Sequence, residues 1–155
     1  MIKIGIIGYN EGNGHPYSFS AIINGFDKEK MARSRYPVIY NYLIKRKSVE
    51  FGIADFEVTH IWTPYKEISK EIADCTYIKN VVEHYEEFSG QVDAVIIARD
   101  DVESHYEIAR YFLEQGLFVL VDKPLAINEG EIAYYRPFLE KARLMSCSGL
   151  RYKPE

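Results

Sequence analysis

The sequence predicts an α/β fold: a doubly wound parallel sheet with helices on both faces, built as a single domain. Three observations predict it. The chain opens with a strand, a glycine-rich loop and a helix in direct succession, over Met1 to Ile23. Two later segments, Val92–Ala98 and Leu117–Val121, are near-continuously apolar, as expected of parallel strands covered on both faces. Between and around them, strand-like and helix-like segments alternate, the pattern of β-α units and not of hairpins.

Ile2, Ile4, Ile6 and Ile7 make the first strand, which stops at Gly8. The loop Tyr9-Asn10-Glu11-Gly12-Asn13-Gly14-His15-Pro16 follows. Tyr17–Gly25 is predicted helical, with Phe19, Ile22, Ile23 and Phe26 spaced to line one face. Tyr36-Pro37 opens a second helix carrying Ile39, Tyr40, Leu43 and Ile44. Phe56–Trp62 is the second strand, closed by Thr63-Pro64. Tyr65–Cys75 is an amphipathic helix with Ile68, Ile72 and Cys75 on one face. A short strand over Tyr77–Val82 precedes an acidic helical turn, Glu83–Phe88, ended by Ser89-Gly90. After the Val92 strand, Val102–Gln115 is helical on the stripe Ile108, Ala109, Phe112 and Leu113, with Gly116 as its glycine cap. The Leu117 strand runs into Asp122-Lys123-Pro124. Glu129–Ala142 is the last helix, expected to break or kink near Pro137, and Leu144–Leu150 is a final short strand.

The 155 residues, 47% hydrophobic and 27% charged, suit one domain with its own core. A net charge of −4, with no basic stripe, argues against nucleic acid or an anionic membrane surface as a partner. No apolar stretch is long enough to span a membrane, and the first is interrupted by Lys3 and Gly5, unlike a signal peptide. Cys75 and Cys147 stand far apart without a CxxC spacing, which fits a reduced, cytoplasmic setting. No metal site is expected.

In doubly wound sheets a ligand sits outside the carboxyl ends of the strands, where strand order reverses. That rule selects Gly8, Tyr9, Asn10, Gly12, Asn13, Gly14 and His15 after the first strand, and Trp62 and Thr63 after the second. It also selects Arg99 and Asp100 after the Val92 strand, and Asp122-Lys123-Pro124 after the Leu117 strand. Strand, glycine loop, helix is the geometry that offers free helix N–H groups to a phosphate. The loop is not a standard G-x-G-x-x-G: counted from Gly8, the second and third glycine positions hold Asn10 and Asn13. Asn tolerates left-handed backbone, so the tight turn survives. A side chain at Gly12 or Gly14 is expected to block close approach of a pyrophosphate. An acid normally ends the second strand to hold the adenosine ribose. Here Trp62 and Thr63 occupy that place, so either Thr63 hydrogen-bonds the ribose, or Trp62 stacks on the adenine, or Trp62 is a core residue at a strand end.

The run Val92-Asp93-Ala94-Val95-Ile96-Ile97-Ala98, then a polar turn ending in His105, then Ala109, Leu113 and Gly116, then Val119-Leu120-Val121-Asp122-Lys123-Pro124-Leu125-Ala126, resembles the glucose–fructose oxidoreductase/inositol dehydrogenase family (Gfo/Idh/MocA). Order and spacing match over Val92–Ala126. Ser148-Gly149-Leu150-Arg151-Tyr152 resembles the segment leading out of that family's nucleotide domain. The resemblance implies a Rossmann-like domain that binds NAD or NADP and serves oxidation or reduction of a sugar, polyol or nucleotide-sugar derivative. It maps the family's Glu-Lys-Pro motif onto Asp122-Lys123-Pro124, beside the nicotinamide. Lys123 is then the catalytic candidate, touching the ribose or the substrate hydroxyl and assisting proton movement, and a cis bond before Pro124 suits the tight turn. His105 maps to a histidine that caps the next helix near the cofactor. Arg99-Asp100 stands where the family has Thr-Pro.

Residues 1–150 are expected to form this domain, and 151–155 to begin a connection to a substrate domain that this chain does not contain. The chain is then either a fragment, or a short member that completes its site by self-association, as a homo-oligomer, or with a partner chain. The alternative is a non-catalytic module that keeps the fold for nucleotide binding or as a scaffold.

Overall fold

A computed structural model describes residues 1–53 and 55–148 of the chain. The expected strand residues Gly149 and Leu150, and Arg151-Tyr152, lie outside the described residues. Six parallel strands form one sheet in the order β3-β2-β1-β4-β5-β6. They are β1 (Ile2–Ile7), β2 (Phe56–Trp62), β3 (Asn80–Val81), β4 (Ala94–Ile97), β5 (Phe118–Val121) and β6 (Leu144–Met145). The helices are α1 (His15–Asn24), α2 (Lys28–Ala32), α3 (Pro37–Leu43), α4 (Lys66–Thr76), α5 (His105–Glu114) and α6 (Glu129–Glu140). This is the doubly wound, Rossmann-like single domain that the sequence predicts.

Alternation along β1 sends its side chains into two cores. Ile4 and Ile6 join Tyr17 and Ala21 of α1, and Ile68 and Ile72 of α4, on one face. Ile7 joins Val95, Ile97, Val119 and Val121, with Ile108 and Phe112 of α5 and Tyr135 of α6, on the other. Gly5 belongs to the second face. A Cβ there would run into the ring of Phe88, so the glycine lets that buried ring lie against the strand.

Several elements differ from expectation. α1 begins at His15, two residues early, because Pro16 is favourable in the first turn. α2 is unforeseen; Asp27 caps it by accepting the Lys30 N–H at 3.0 Å. The stretch 102–104 is a 3-10 turn ahead of α5. α6 runs through Pro137 without a break, since the proline sits in its final turns. β4 and β5 are covered by helices on one face only among the described residues. Their opposite side chains, Ile96 and Leu120, line an open cavity instead.

The strand ends stand level. The Gly8 N–H donates to the Trp62 carbonyl (3.0 Å), the Ala98 N–H to Ile7 (2.7 Å) and the Asp122 N–H to Ile97 (2.9 Å). Sheet order reverses between β1 and β4, so the loops after β1, β4 and β5 are brought to one place.

Candidate functional site at the switch point

The loop after β1 is shaped by its own side chains. Asn13, only 3% exposed, accepts the His15 N–H at 2.8 Å. Pro16 has no N–H, and those of Tyr17 and Ser18 both return to the Gly14 carbonyl, at 3.1 and 3.3 Å. The start of α1 is therefore not the open anion site that the strand–loop–helix succession predicts, because Asn13 takes one of the orphan donors. The glycines also divide by role. A Cβ at Gly14 would lie 2.5 Å from Ile39 Cδ1 and 2.9 Å from Tyr36 Cδ1, so Gly14 serves the packing of α3. A Cβ at Gly8 would meet Pro16. Of Gly8, Gly12 and Gly14, only Gly12 has a positive φ (+85°), with nothing within 4 Å of the missing side chain.

After β4, Arg99 folds back. Its guanidinium donates to the Asp101 carboxylate (2.8 and 2.6 Å), to Ser104 Oγ (3.2 Å) and to the Tyr9 carbonyl (3.1 Å). Burial alone would raise the Asp101 pKa, but the Arg99 bonds outweigh it and hold the carboxyl below the usual range. Asp100 reaches across to the first loop. Its N–H donates to Asn10 Oδ1 at 3.1 Å while Asn10 Nδ2 donates to its carboxylate. The other carboxylate oxygen lies 3.8 Å from Lys123 Nζ.

After β5, Asp122 is 5% exposed and accepts three times: from the Lys123 N–H (2.8 Å), from Asn13 Nδ2 (3.4 Å) and from His15 Nδ1. Burial pushes its pKa up; the His15 contact and the other bonds prevail and lower it. The Lys123–Pro124 bond is cis, as is Gly8–Tyr9.

Other expected site residues turn inward. Thr63 is 4% exposed, and its Oγ1 is committed to the Tyr65 carbonyl (2.6 Å) and Ser69 Oγ (2.9 Å), which leaves it poorly placed for a ribose. Trp62 is partly buried, donates its indole N–H to the Glu83 carbonyl (2.9 Å) and packs edge-on against Tyr85. His105 is 0% exposed. Its ring nitrogens face the carbonyls of Pro124 and Arg99, both at 2.9 Å, so it ties the β4 loop to the β5 loop without a polar atom of its own free for a ligand. Sequence reasoning placed Asp122 in a motif but missed its pairing with His15, and no local spacing signals a contact between the ends of β1 and β5.

Two cavities flank the glycine loop. One, about 570 Å³, is walled by Phe19, Ile22, Ile96, Leu120 and Met145, with His15, Asp122 and Lys123 at its polar end. The other, about 430 Å³, is lined by Tyr9, Asn10, Glu11, Tyr65, Glu67 and Arg99. Among the described residues, no cluster of three or more His, Cys, Asp or Glu side chains is placed to hold a metal ion. No described helix is long and apolar enough to cross a membrane.

Residues 2–143 match the model of the GFO_IDH_MocA family, described as an oxidoreductase family with an NAD-binding Rossmann fold. The chain belongs to the Gfo/Idh/MocA family. Across this span it is that family's NAD-binding domain. Solved structures similar to the chain include a Clostridium difficile dehydrogenase (24% identity, TM-score 0.57, 94% of this chain and 38% of that one). A UDP-N-acetylglucosamine 3-dehydrogenase of Acidithiobacillus ferrooxidans is 18% identical (TM-score 0.60, 96% and 38%). A scyllo-inositol dehydrogenase of Lactobacillus casei, crystallised with NAD(H) and scyllo-inositol, is 17% identical (TM-score 0.64, 99% and 38%). At these identities the likeness carries the fold. The chain spans 38% of the length of each of these neighbours. No curated protein matches the chain.

Proposed function

We propose that the chain holds NAD or NADP across the switch point and serves an oxidoreductase acting on a hydroxyl of a sugar, polyol or nucleotide-sugar. The observation that carries this is convergence: Asn10, Asp100 and Lys123 come from three separate strand ends and meet one another, with Asn10 lining one cavity and Lys123 the other. The two cavities suit a dinucleotide. Gly12, where the backbone is open, would hold the pyrophosphate. Tyr9, Tyr65 and Glu67 would hold the adenosine, with Glu67 supplying a carboxylate that Thr63 cannot replace. Lys123, at the larger cavity, would hold the nicotinamide end, which when bound would supply the hydride acceptor or donor. Lys123 presents an ammonium there, a donor for the substrate oxygen. The apolar wall of that cavity leaves room for a second domain, another copy or a partner chain to close over the substrate. The inositols and the UDP-sugar of the neighbours set the substrate class to try first.

Titration with NADH and NADPH, followed by cofactor fluorescence, tests the reading. Submillimolar binding of either is expected; no binding at millimolar cofactor overturns it. Lys123→Ala should abolish turnover on an inositol or nucleotide-sugar substrate while the cofactor Kd stays within about 3-fold. A second reading, a non-catalytic nucleotide-binding or scaffold module, is favoured by the engaged first turn of α1 and by the Asp100 carboxylate set between Asn10 and Lys123. Cofactor binding without turnover on any of these substrates would support it.

A further inference from the structure

We propose that His15 is the acid–base residue of the larger cavity, taking the hydroxyl proton of the alcohol substrate at Nε2, with Asp122 as its positioning residue. This rests on the oxidoreductase reading above.

The geometry is that of an oriented imidazole. Nδ1 of His15 contacts Asp122 Oδ2. A buried carboxylate only accepts, so the ring proton sits on Nδ1 and the lone pair on Nε2. The ring lies against Phe19, centroids 5.3 Å apart and 21° from parallel, which fixes its second degree of freedom. Asp122 is itself held by the Lys123 N–H and Asn13, so it cannot swing away. The His15 side chain remains 38% exposed and lines the cavity that Lys123 also lines.

The division of labour follows from donor and acceptor inventories. An ammonium offers three donors and no acceptor, and Lys123 faces Asp100 at 3.8 Å. It can steady a developing alkoxide but not take a proton while it is charged. Removing a hydroxyl proton needs a lone pair, and Nε2 of His15 supplies one. With a nicotinamide held there, oxidation would move hydride from the alcohol carbon to its ring and leave a carbonyl carbon. The O–H bond breaks, and its proton passes to Nε2, leaving an imidazolium paired with the Asp122 carboxylate. Reduction returns the same proton to the carbonyl oxygen. The charged groups facing His15 are Asp122 at contact distance and Lys123 across the cavity, with Asp100 behind Lys123; Cys147 also lines the cavity.

Two measurements test the proposal. Long-range nitrogen–proton NMR of the unliganded protein should show His15 in the Nδ1–H tautomer, with Asp122→Asn weakening that preference. An Nε2–H tautomer overturns the proposal whatever the activity. In kinetics, His15→Gln should lower kcat/KM about 10²-fold and remove the acid limb of its pH profile, with the NADH Kd within about 3-fold. A rise in Kd that matches the loss of kcat/KM would instead make His15 a phosphate contact and overturn the proposal. Failure of the unsubstituted protein to bind either cofactor would sink the oxidoreductase reading. A wrong tautomer in a protein that binds cofactor would sink the His15 assignment alone.

Discussion

Gly14→Ala separates a glycine kept for packing from one kept for a ligand. The backbone at Gly14 has φ −94°, which alanine adopts freely. The obstacle is space: the new Cβ would sit 2.5 Å from Ile39 Cδ1 and 2.9 Å from Tyr36 Cδ1. Ile39 can yield at its flexible end. Tyr36 cannot yield as easily, because its ring is held between Tyr9 and Tyr17, with centroids at 6.3 and 5.3 Å. Overpacking of this kind costs about 1–3 kcal/mol. At about 2–4 °C per kcal/mol for a chain of this size, the melting temperature should fall by about 2–12 °C. Measured well below that temperature, the cofactor Kd should be unchanged. Gly12→Ala is the contrast. Its φ of +85° adds a strain of about 1–2 kcal/mol, and its new Cβ stands in open space where the pyrophosphate is proposed to bind, so cofactor affinity should fall as well. Calorimetry and fluorescence titration of both variants decide the matter. Weakened cofactor binding in Gly14→Ala with an unchanged melting temperature would refute the division.

Two other outcomes are expected. Asp100→Asn removes a carboxylate from the path of the pyrophosphate and frees Lys123, so the cofactor should bind several-fold tighter at low ionic strength, with the gain fading as salt screens it; equal or weaker binding in low-salt titrations would contradict this. Glu71 is held below the usual carboxylate range: burial opposes this, but bonds from Arg35 and from the Tyr17 hydroxyl prevail. Its contribution is therefore full above the ordinary pKa of 4.5 and is lost as pH falls below it toward the folded value. Glu71→Gln should cost about 1 kcal/mol at neutral pH and flatten the acid side of the stability curve in denaturant titrations from pH 7 to pH 3.

Much of the architecture was legible because its signals are local. Apolar runs such as Val92–Ala98, the Gly116 cap and the Tyr36-Pro37 start each depend on neighbours a few residues away. Phe56–Trp62 was predicted to the residue. The break expected near Pro137 is absent: α6 runs through it to Glu140, with the proline in the last turn. The three loops at the switch point were legible too, because parallel topology alone dictates where strand ends go.

What the sequence by itself determined is the fold and the family, with an address for the candidate site. It could not say which side chains at that address are free, because hydrogen-bond satisfaction is settled by partners distant in the chain. Thr63, Trp62 and His105 look available in a sequence, yet each is committed to a carbonyl or hydroxyl that only the folded chain brings near. The reverse holds for Asp122 and His15, separated by 107 positions. Neither announces the other, and only the parallel alignment of β1, β4 and β5 sets a buried carboxylate against an imidazole at the mouth of the cavity.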